Sequence, residues 1–193
     1  MTSAETREAL RRILLRRSVR TGDFTLASGQ RSSVYVDARL TTCHAAAIPL
    51  IGRLVLERIR EKGWQPVAVG GLTMGADPIS VAVARESLEA GPAAGSAVDA
   101  FVVRKEAKKH GMKRFVEGIE ITSPMDVVVI DDVCSTGGST ATAIERCREA
   151  GMNVLGAVCL VDREMGAVEN LRRDVACELV SVFRLSELTG AGT

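Results

Sequence analysis

No run of 18 or more apolar residues occurs in the sequence, so a membrane-spanning helix is not expected. The segment Met1–Arg17 mixes acids with arginines and lacks the apolar core of an export signal. Lysine and arginine number 25 against 24 acids, so the positive surplus typical of nucleic-acid binding is missing too. What is present is a globular composition, 46% hydrophobic and 25% charged, over a length that suits one domain.

The cysteines form no pattern typical of a crosslinked or metal-bound fold. They are odd in number and include no Cys-x-x-Cys pair: Cys43, Cys134, Cys147, Cys159 and Cys177. This usage argues against a disulfide framework or a zinc site and favours a reducing cytoplasm. The only histidines are His44 and His110, so we interpret Cys134 as a small filler residue rather than a nucleophile.

The two common nucleotide loops, Gly-x-x-x-x-Gly-Lys-Ser/Thr and Gly-x-Gly-x-x-Gly, are also missing. Val127 to Thr140 carries a different signal: four β-branched residues, then the adjacent acids Asp131 and Asp132, then a loop of small residues. A segment with helical character follows and stops at Gly151. This order predicts a buried strand, a tight turn and a helix start, the repeating unit of parallel α/β sheets.

The turn has the properties of a phosphate-binding loop. Backbone N–H groups from Ser135 to Ser139 precede the helix and are free to face an anion, which the helix dipole also favours. Two carboxylates beside a phosphate would repel it unless they hold sugar hydroxyls or metal-bound water. A phosphorylated sugar matches both halves of the motif, whereas an ordinary turn between strand and helix is the alternative.

This stretch resembles the phosphoribosyl-diphosphate (PRPP) binding motif of type I phosphoribosyltransferases. The resemblance implies that PRPP contacts Asp131, Asp132, Val133, Cys134, Ser135, Thr136, Gly137, Gly138 and Ser139. It also implies Mg²⁺ as the cofactor, carried by PRPP and reached through water near the two acids rather than bound directly by the protein.

A basic stretch from Arg104 to Arg114 holds six lysines and arginines in eleven residues. A solvated charge run is one interpretation. The stretch also follows a predicted strand, where ligand crevices form in α/β sheets. It resembles the Lys-x-x-Lys-x-His-Gly catalytic loop of orotate phosphoribosyltransferases at Lys105, Lys108, His110 and Gly111. The resemblance implies that Arg104, Lys105, Lys108 and His110 bind PRPP and that Lys105, Lys108, His110, Asp131 and Asp132 are catalytic.

Two further segments resemble the same family, each with one departure. Phe24 to Asp37 is similar to the N-terminal hood that covers the base, but Ala27 stands where relatives often have lysine. Gly70 to Pro78 is similar to the loop that binds pyrophosphate, but Gly75 stands where some relatives have lysine. These departures remove side-chain charges and leave backbone contacts possible.

Arg163 lies two residues beyond the end of the predicted strand Val154–Val161 and should point into the crevice at the end of the sheet. The planar guanidinium of arginine can donate two parallel hydrogen bonds to a carboxylate. The resemblance implies that Arg163 and Ser135 bind orotate. A structural salt bridge from Arg163 to Asp162 or Glu164 is the alternative.

The predicted fold is α/β, a parallel sheet of about five strands flanked by helices, with a small N-terminal hood. The whole chain, 1–193, is expected to be a single domain, with the hood at 1–40 and the core sheet at 65–182. The predicted sheet strands are Val67–Val69, Ala100–Val103, Val127–Ile130, Val154–Val161 and Glu178–Val182, and a further short strand is expected within Ile119–Ser123.

The resemblance implies a pentosyltransferase that joins orotate to PRPP, giving orotidine 5′-monophosphate and pyrophosphate in pyrimidine biosynthesis. It further implies a cytoplasmic homodimer that shares the basic loop between subunits, with no nucleic-acid or membrane partner. Two alternatives stay open: a type I transferase for a purine or uracil, and a non-enzymatic PRPP-binding regulator.

Overall fold

The structure is a computed structural model that describes residues 1–25, 31–89, 97–106, 114–122 and 124–190. Its elements in chain order are α1 Ser3–Arg17, β1 Val19–Thr25, β2 Arg31–Val36, α2 Arg39–Thr42, α3 Ile48–Glu61, β3 Ala68–Leu72, α4 Asp77–Glu89, β4 Asp99–Val103, β5 Val116–Glu117, β6 Met125–Cys134, α5 Gly138–Glu149, β7 Met152–Asp162, α6 Ala167–Val175, β8 Leu179–Arg184 and α7 Leu185–Thr189. Among these described helices, none has the length and apolar character needed to cross a bilayer.

A six-stranded sheet forms the centre of the molecule in the order β5-β4-β3-β6-β7-β8. All neighbouring strands are parallel except β5, which pairs antiparallel with β4. Strand β6 lies near the middle, and its residues Val127 to Ile130 are almost fully buried. Because side chains alternate along a strand, Val128 and Ile130 join the core under α1, α3 and α4, whereas Val127 and Val129 join the core under α5 and α6.

The parallel α/β architecture predicted from the sequence is confirmed, and each of the five predicted sheet strands is present with shifted ends. Strand β6 runs on to Cys134, beyond its predicted end at Ile130. The paired acids Asp131 and Asp132 therefore lie within the strand. The strand expected within Ile119–Ser123 is wrong for the described residues 119–122, and the sheet gains its sixth strand at Val116–Glu117 instead. Two residues are too few to carry a periodic pattern.

The N-terminal hood is a separate two-stranded antiparallel sheet of β1 and β2. It begins at Val19, earlier than the predicted Phe24, because the chain enters β1 directly from α1. A buried hydrogen bond of 2.6 Å between the hydroxyls of Ser18 and Thr41 fixes the base of the hood against α2. Residues 26–30, which include Ala27, lie outside the described residues. The domain limits stay predictions.

Helix α1 anchors the hood through Leu10 and Leu14, which are fully buried. Its start is a capping box: the Glu5 N–H donates to Thr2 Oγ1 at 3.2 Å, and the Thr2 N–H donates to Glu5 Oε2 at 2.8 Å. Thr2 and Glu5 together therefore cap the start of α1.

Replacing Thr2 by alanine should lower the free energy of unfolding by about 1 kcal/mol, because the Glu5 N–H loses its acceptor at the helix start. Urea unfolding followed through the fluorescence of Trp64, the one tryptophan in the sequence, measures this change. The control Thr2→Ser keeps the hydroxyl and should unfold close to wild type. Equal stabilities for Thr2→Ala and Thr2→Ser would contradict the capping role.

Candidate active site

Two adjoining cavities lie at the carboxyl ends of β3, β6 and β7, beneath the hood. The larger, of about 630 Å³, is lined by the loop after β6, by Arg163 and by hood residues. The smaller, of about 250 Å³, is lined by the loop after β3, by Lys105 and by Arg39. Both cavities share Tyr35, Asp131, Val133 and Ser139. The predicted sites on separate segments therefore meet at one place, the crevice expected at the end of a parallel sheet.

The loop after β6 has the form of an anion cradle. Helix α5 begins at Gly138, and the residue before it, Gly137, has a φ of 91° and offers no side-chain cap. Within the described residues, the N–H groups from Ser135 to Ser139 have no hydrogen-bond acceptor. Glycine suits position 137 because its φ is left-handed and an added Cβ would lie 3.0 Å from Leu171 Cγ. Unpaired amides at a helix start form a ready site for phosphate.

Asp131 stands where the two cavities meet and is held from both sides. The Thr140 hydroxyl donates to Asp131 Oδ2 at 2.6 Å, and the Asp132 N–H donates to Asp131 Oδ1 at 2.9 Å. Burial raises the pKa of Asp131 to about 7, and the neighbouring Asp132 carboxylate adds to the rise while the Thr140 bond opposes it. Asp131 is therefore a carboxyl group that changes charge near neutral pH.

Asp132 faces the smaller cavity, close to the loop after β3. Its Oδ1 accepts a hydrogen bond of 2.9 Å from the Val133 N–H. A Cβ added at Gly75 would lie 2.5 Å from the same oxygen, so Asp132 occupies the space that a side chain at position 75 would need. A side chain at position 75 would therefore require the Asp132 carboxylate to move.

Arg39 is a cation of this site that the sequence interpretation missed. Its guanidinium lines the smaller cavity and pairs with Asp37 at 2.9 Å. Hydrogen bonding to Asp37 raises the pKa of Arg39, and the charges of Asp37 and Asp132 add to the rise. No motif indicates the residue, because its place at the site follows from how the hood packs on the loop after β3.

Arg163 lies in the larger cavity with its side chain directed to the hood. Its Nη2 donates to Ser32 Oγ at 3.1 Å and to the Val34 carbonyl at 3.0 Å. The salt bridge weighed as an alternative does not form in the described part of the chain. Asp162 instead accepts from the Glu164 N–H, and the Glu164 carboxylate accepts two bonds from Ser186.

The basic stretch is described only in part. Lys105 is exposed and lines the smaller cavity, as predicted for a PRPP contact. Arg104 points elsewhere: it pairs with Glu117 at 3.3 Å and lines neither cavity. Lys108, His110 and Gly111 lie outside the described residues.

The remaining predicted contacts form the wall of the larger cavity: Val133, Cys134, Ser135, Thr136, Gly137, Gly138 and Ser139. The Cys134 side chain is buried, and its sulfur lies 3.3 Å from the Thr140 hydroxyl. It packs beneath the loop, as a filler residue would.

Comparison with known proteins agrees with this arrangement. The family model of the phosphoribosyl transferase domain matches residues 42–184. This range spans the six-stranded sheet and the segments after β3, β4, β6 and β7 that line the two cavities. The chain therefore belongs to the phosphoribosyltransferase family, as the motifs predicted.

Within that family, the chain groups with the orotate phosphoribosyltransferases. The enzyme of that name from Corynebacterium glutamicum is 44% identical over 167 residues, covering 86% of this chain and 85% of the relative. The one from Aquifex aeolicus is 42% identical over 186 residues, covering 94% and 97%. A crystal structure of Mycobacterium tuberculosis orotate phosphoribosyltransferase in complex with PRPP superposes with a TM-score of 0.77 at 35% identity, covering 95% and 99%.

The raised pKa of Asp131 predicts a pH-dependent stability. The folded protein binds this proton more tightly than the unfolded chain, so the stabilising contribution is complete below about pH 4 and is lost as pH rises through about 7. Asp131→Asn removes that loss. The free energy of unfolding of the variant, relative to wild type, should therefore be greater at pH 8 than at pH 5 by about 2 kcal/mol.

Urea unfolding at the two pH values measures this difference. The control is Asp99→Asn, which changes an exposed carboxylate at the start of β4. If Asp131→Asn shifted stability equally at pH 5 and pH 8, Asp131 would not be the group that titrates.

Proposed function

We propose that the protein transfers the 5-phosphoribosyl group of PRPP to orotate, giving orotidine 5′-monophosphate and pyrophosphate. The observation that carries the proposal is the larger cavity, where the free amides before α5, the Asp131 carboxyl and the Arg163 guanidinium face one space. That set matches a ligand pair with a phosphate, sugar hydroxyls and a carboxylate. Membership among the orotate phosphoribosyltransferases supports the same reaction.

In this reaction the bond between ribose C1′ and a pyrophosphate oxygen breaks, and both electrons leave with the oxygen. Orotate N1 forms the new bond to C1′ and its proton passes to solvent. Ribose C1′ gains positive character while the leaving group gains negative charge, so cations at the leaving group and firm placement of the base lower the barrier. The smaller cavity, with Lys105 and Arg39, is the place for that leaving group.

Each described residue then has a defined task. The amides of Ser135 to Ser139 bind the 5′-phosphate, and Asp131 and Asp132 accept hydrogen bonds from the ribose hydroxyls. Arg163 and Ser135 hold orotate by its carboxylate and ring edge. In this proposal Lys108 and His110 of the basic loop, together with Arg104 once it leaves Glu117, add positive charge at the pyrophosphate.

Mg²⁺ fits the site as an ion carried by PRPP. Among the described residues, no cluster of three or more His, Cys, Asp or Glu side chains could hold a metal alone. Two adjacent carboxylates, Asp131 and Asp132, do offer the oxygen acceptors that metal-bound water needs. The ion, when bound, neutralises charge on the pyrophosphate.

The cytoplasm is the proposed place of the reaction. The five cysteines are unpaired thiols, and four of them are buried within the one core under α5 and α6. Such usage is typical of a reducing compartment.

Replacing Arg163 by alanine should lower kcat/KM for orotate about 100-fold, because a charge-assisted bond to the carboxylate is lost. PRPP affinity should stay unchanged. The assay is the loss of orotate absorbance with PRPP and Mg²⁺, with uracil, adenine and hypoxanthine run in parallel. Arg20→Ala, which changes an exposed arginine of the hood, is the matched control.

Consumption of orotate alone by the wild-type protein supports the proposal. Consumption of a different base would keep the PRPP site and overturn the role of Arg163. PRPP binding without turnover of any base would favour the regulator instead.

A homodimer that shares the basic loop completes the proposal. Met74, Val81 and Leu88 are each more than 60% exposed. Val81 and Leu88 lie two turns apart on one face of α4, and Met74 belongs to the wall of the smaller cavity. A second copy seated on this apolar strip would stand beside the site, where its own basic loop could reach.

Mixing two inactive variants tests the shared loop. A dimer of one Lys108→Ala subunit and one Arg163→Ala subunit carries one intact site only if Lys108 acts across the interface. Random reassociation should then restore about one quarter of wild-type activity, since half of the dimers are mixed and each has one working site of two. No recovery, in mixtures shown by mass spectrometry to contain mixed dimers, would place Lys108 in its own subunit's site.

A further inference from the structure

We propose that Ser32, on hood strand β2, is a positioning residue that orients the Arg163 guanidinium and thereby sets the preference for a base that carries a carboxylate. The inference rests on the proposed function and deepens it. It concerns a hydroxyl of the hood segment Phe24–Asp37 to which the sequence analysis assigned no role.

The Ser32 hydroxyl supports both acceptors that hold Arg163. It accepts directly from Arg163 Nη2 at 3.1 Å. It also donates to the Val34 carbonyl at 2.8 Å and accepts from the Val34 N–H at 3.2 Å, which closes a local turn in β2. That same carbonyl is the second acceptor of Nη2, at 3.0 Å. Removing one hydroxyl therefore loosens both contacts.

With Nη2 held by the hood, the other nitrogen donors of Arg163 remain for a ligand. Its Nε is buried and has no hydrogen-bond partner within the described residues. Burial also lowers the pKa of Arg163, although an arginine remains charged at neutral pH. The Nη1 group makes no hydrogen bond within the described residues and is not buried in the same way, so it is the donor open to an incoming carboxylate.

This arrangement separates carboxylate-bearing bases from other bases. Orotate can supply an acceptor to Nη1, whereas uracil lacks the carboxylate and leaves that donor without a charged partner. This preference for a base with a carboxylate depends on the orientation of the guanidinium plane, because hydrogen bonds weaken steeply when they are misaligned. Ser32 fixes that plane from the hood, which also contributes Thr25 and Tyr35 to the cavity wall.

Ser32 could instead serve only the folding of the hairpin, and three variants distinguish these roles. Ser32→Ala removes the hydroxyl, and Ser32→Thr keeps it. Ser33→Ala changes the adjacent, exposed serine of the same strand and is the matched control. A hairpin role alone would affect PRPP and orotate alike, because the hood residue Tyr35 borders both cavities.

The experiment is steady-state kinetics with orotate and uracil, together with PRPP binding by calorimetry. Ser32→Ala should raise KM for orotate about 10-fold, with a smaller change in kcat and an unchanged Kd for PRPP. The ratio of kcat/KM for orotate over uracil should fall by a similar factor. Ser32→Thr and Ser33→Ala should stay close to wild type.

A double-mutant cycle gives the decisive readout. If Ser32 acts through Arg163, adding Ser32→Ala to Arg163→Ala should cause no further loss in kcat/KM for orotate. A full additional loss, or a weakened Kd for PRPP, would overturn the inference. Wild-type turnover of orotate with unchanged Ser32→Ala kinetics would overturn the inference alone. A wild-type protein that binds PRPP but ignores orotate would overturn the proposed function and the inference together.

Discussion

The hydrogen bond from Thr140 to Asp131 is the contact on which the site depends. It joins the first turn of α5 to the end of β6 at 2.6 Å, so the three-residue loop between them, Ser135 to Gly137, is fixed at both ends. The amides of that loop then converge on one space without being drawn into the helix. The Thr140 hydroxyl thus links the backbone amides of this loop to the Asp131 carboxyl group, which also lines the smaller cavity. Sheet burial supports the contact, because β6 is packed on both faces.

The hood contributes chemistry as well as cover. Its strand β2 reaches Arg163 through Ser32 and Val34, and its continuation into α2 brings Arg39 to the smaller cavity. Both arginines therefore depend on the hood and on the segment that follows it, which the hydrogen bond between Ser18 and Thr41 ties to the end of α1. A shift of the hood would move Arg163 and Arg39 together.

Sequence patterns predicted the parts of this molecule that depend on local order. The run Val127–Ile130 predicted a buried strand because all four residues are β-branched, and the small residues after Asp132 predicted the loop. Contacts between distant segments carried no such signal. Ser32 and Arg163 stand 131 residues apart, and no periodicity records that they meet. Strand β5 was missed for another reason, since its pairing with β4 needs only two residues.

The paired acids connect the phosphate-binding loop with the smaller cavity, because Asp131 lines both cavities and Asp132 lines the smaller one. An empty anion loop beside two ionised carboxylates would be a poor phosphate site, because like charges repel at this separation. The structure reduces that conflict by burying Asp131, which raises its pKa to about 7, so a proton replaces the negative charge when nothing else balances it. A ligand that brings hydroxyl donors or a cation to Asp131 makes the ionised form favourable again. Under the proposed function, binding of a phosphorylated sugar would therefore favour the ionised form of Asp131.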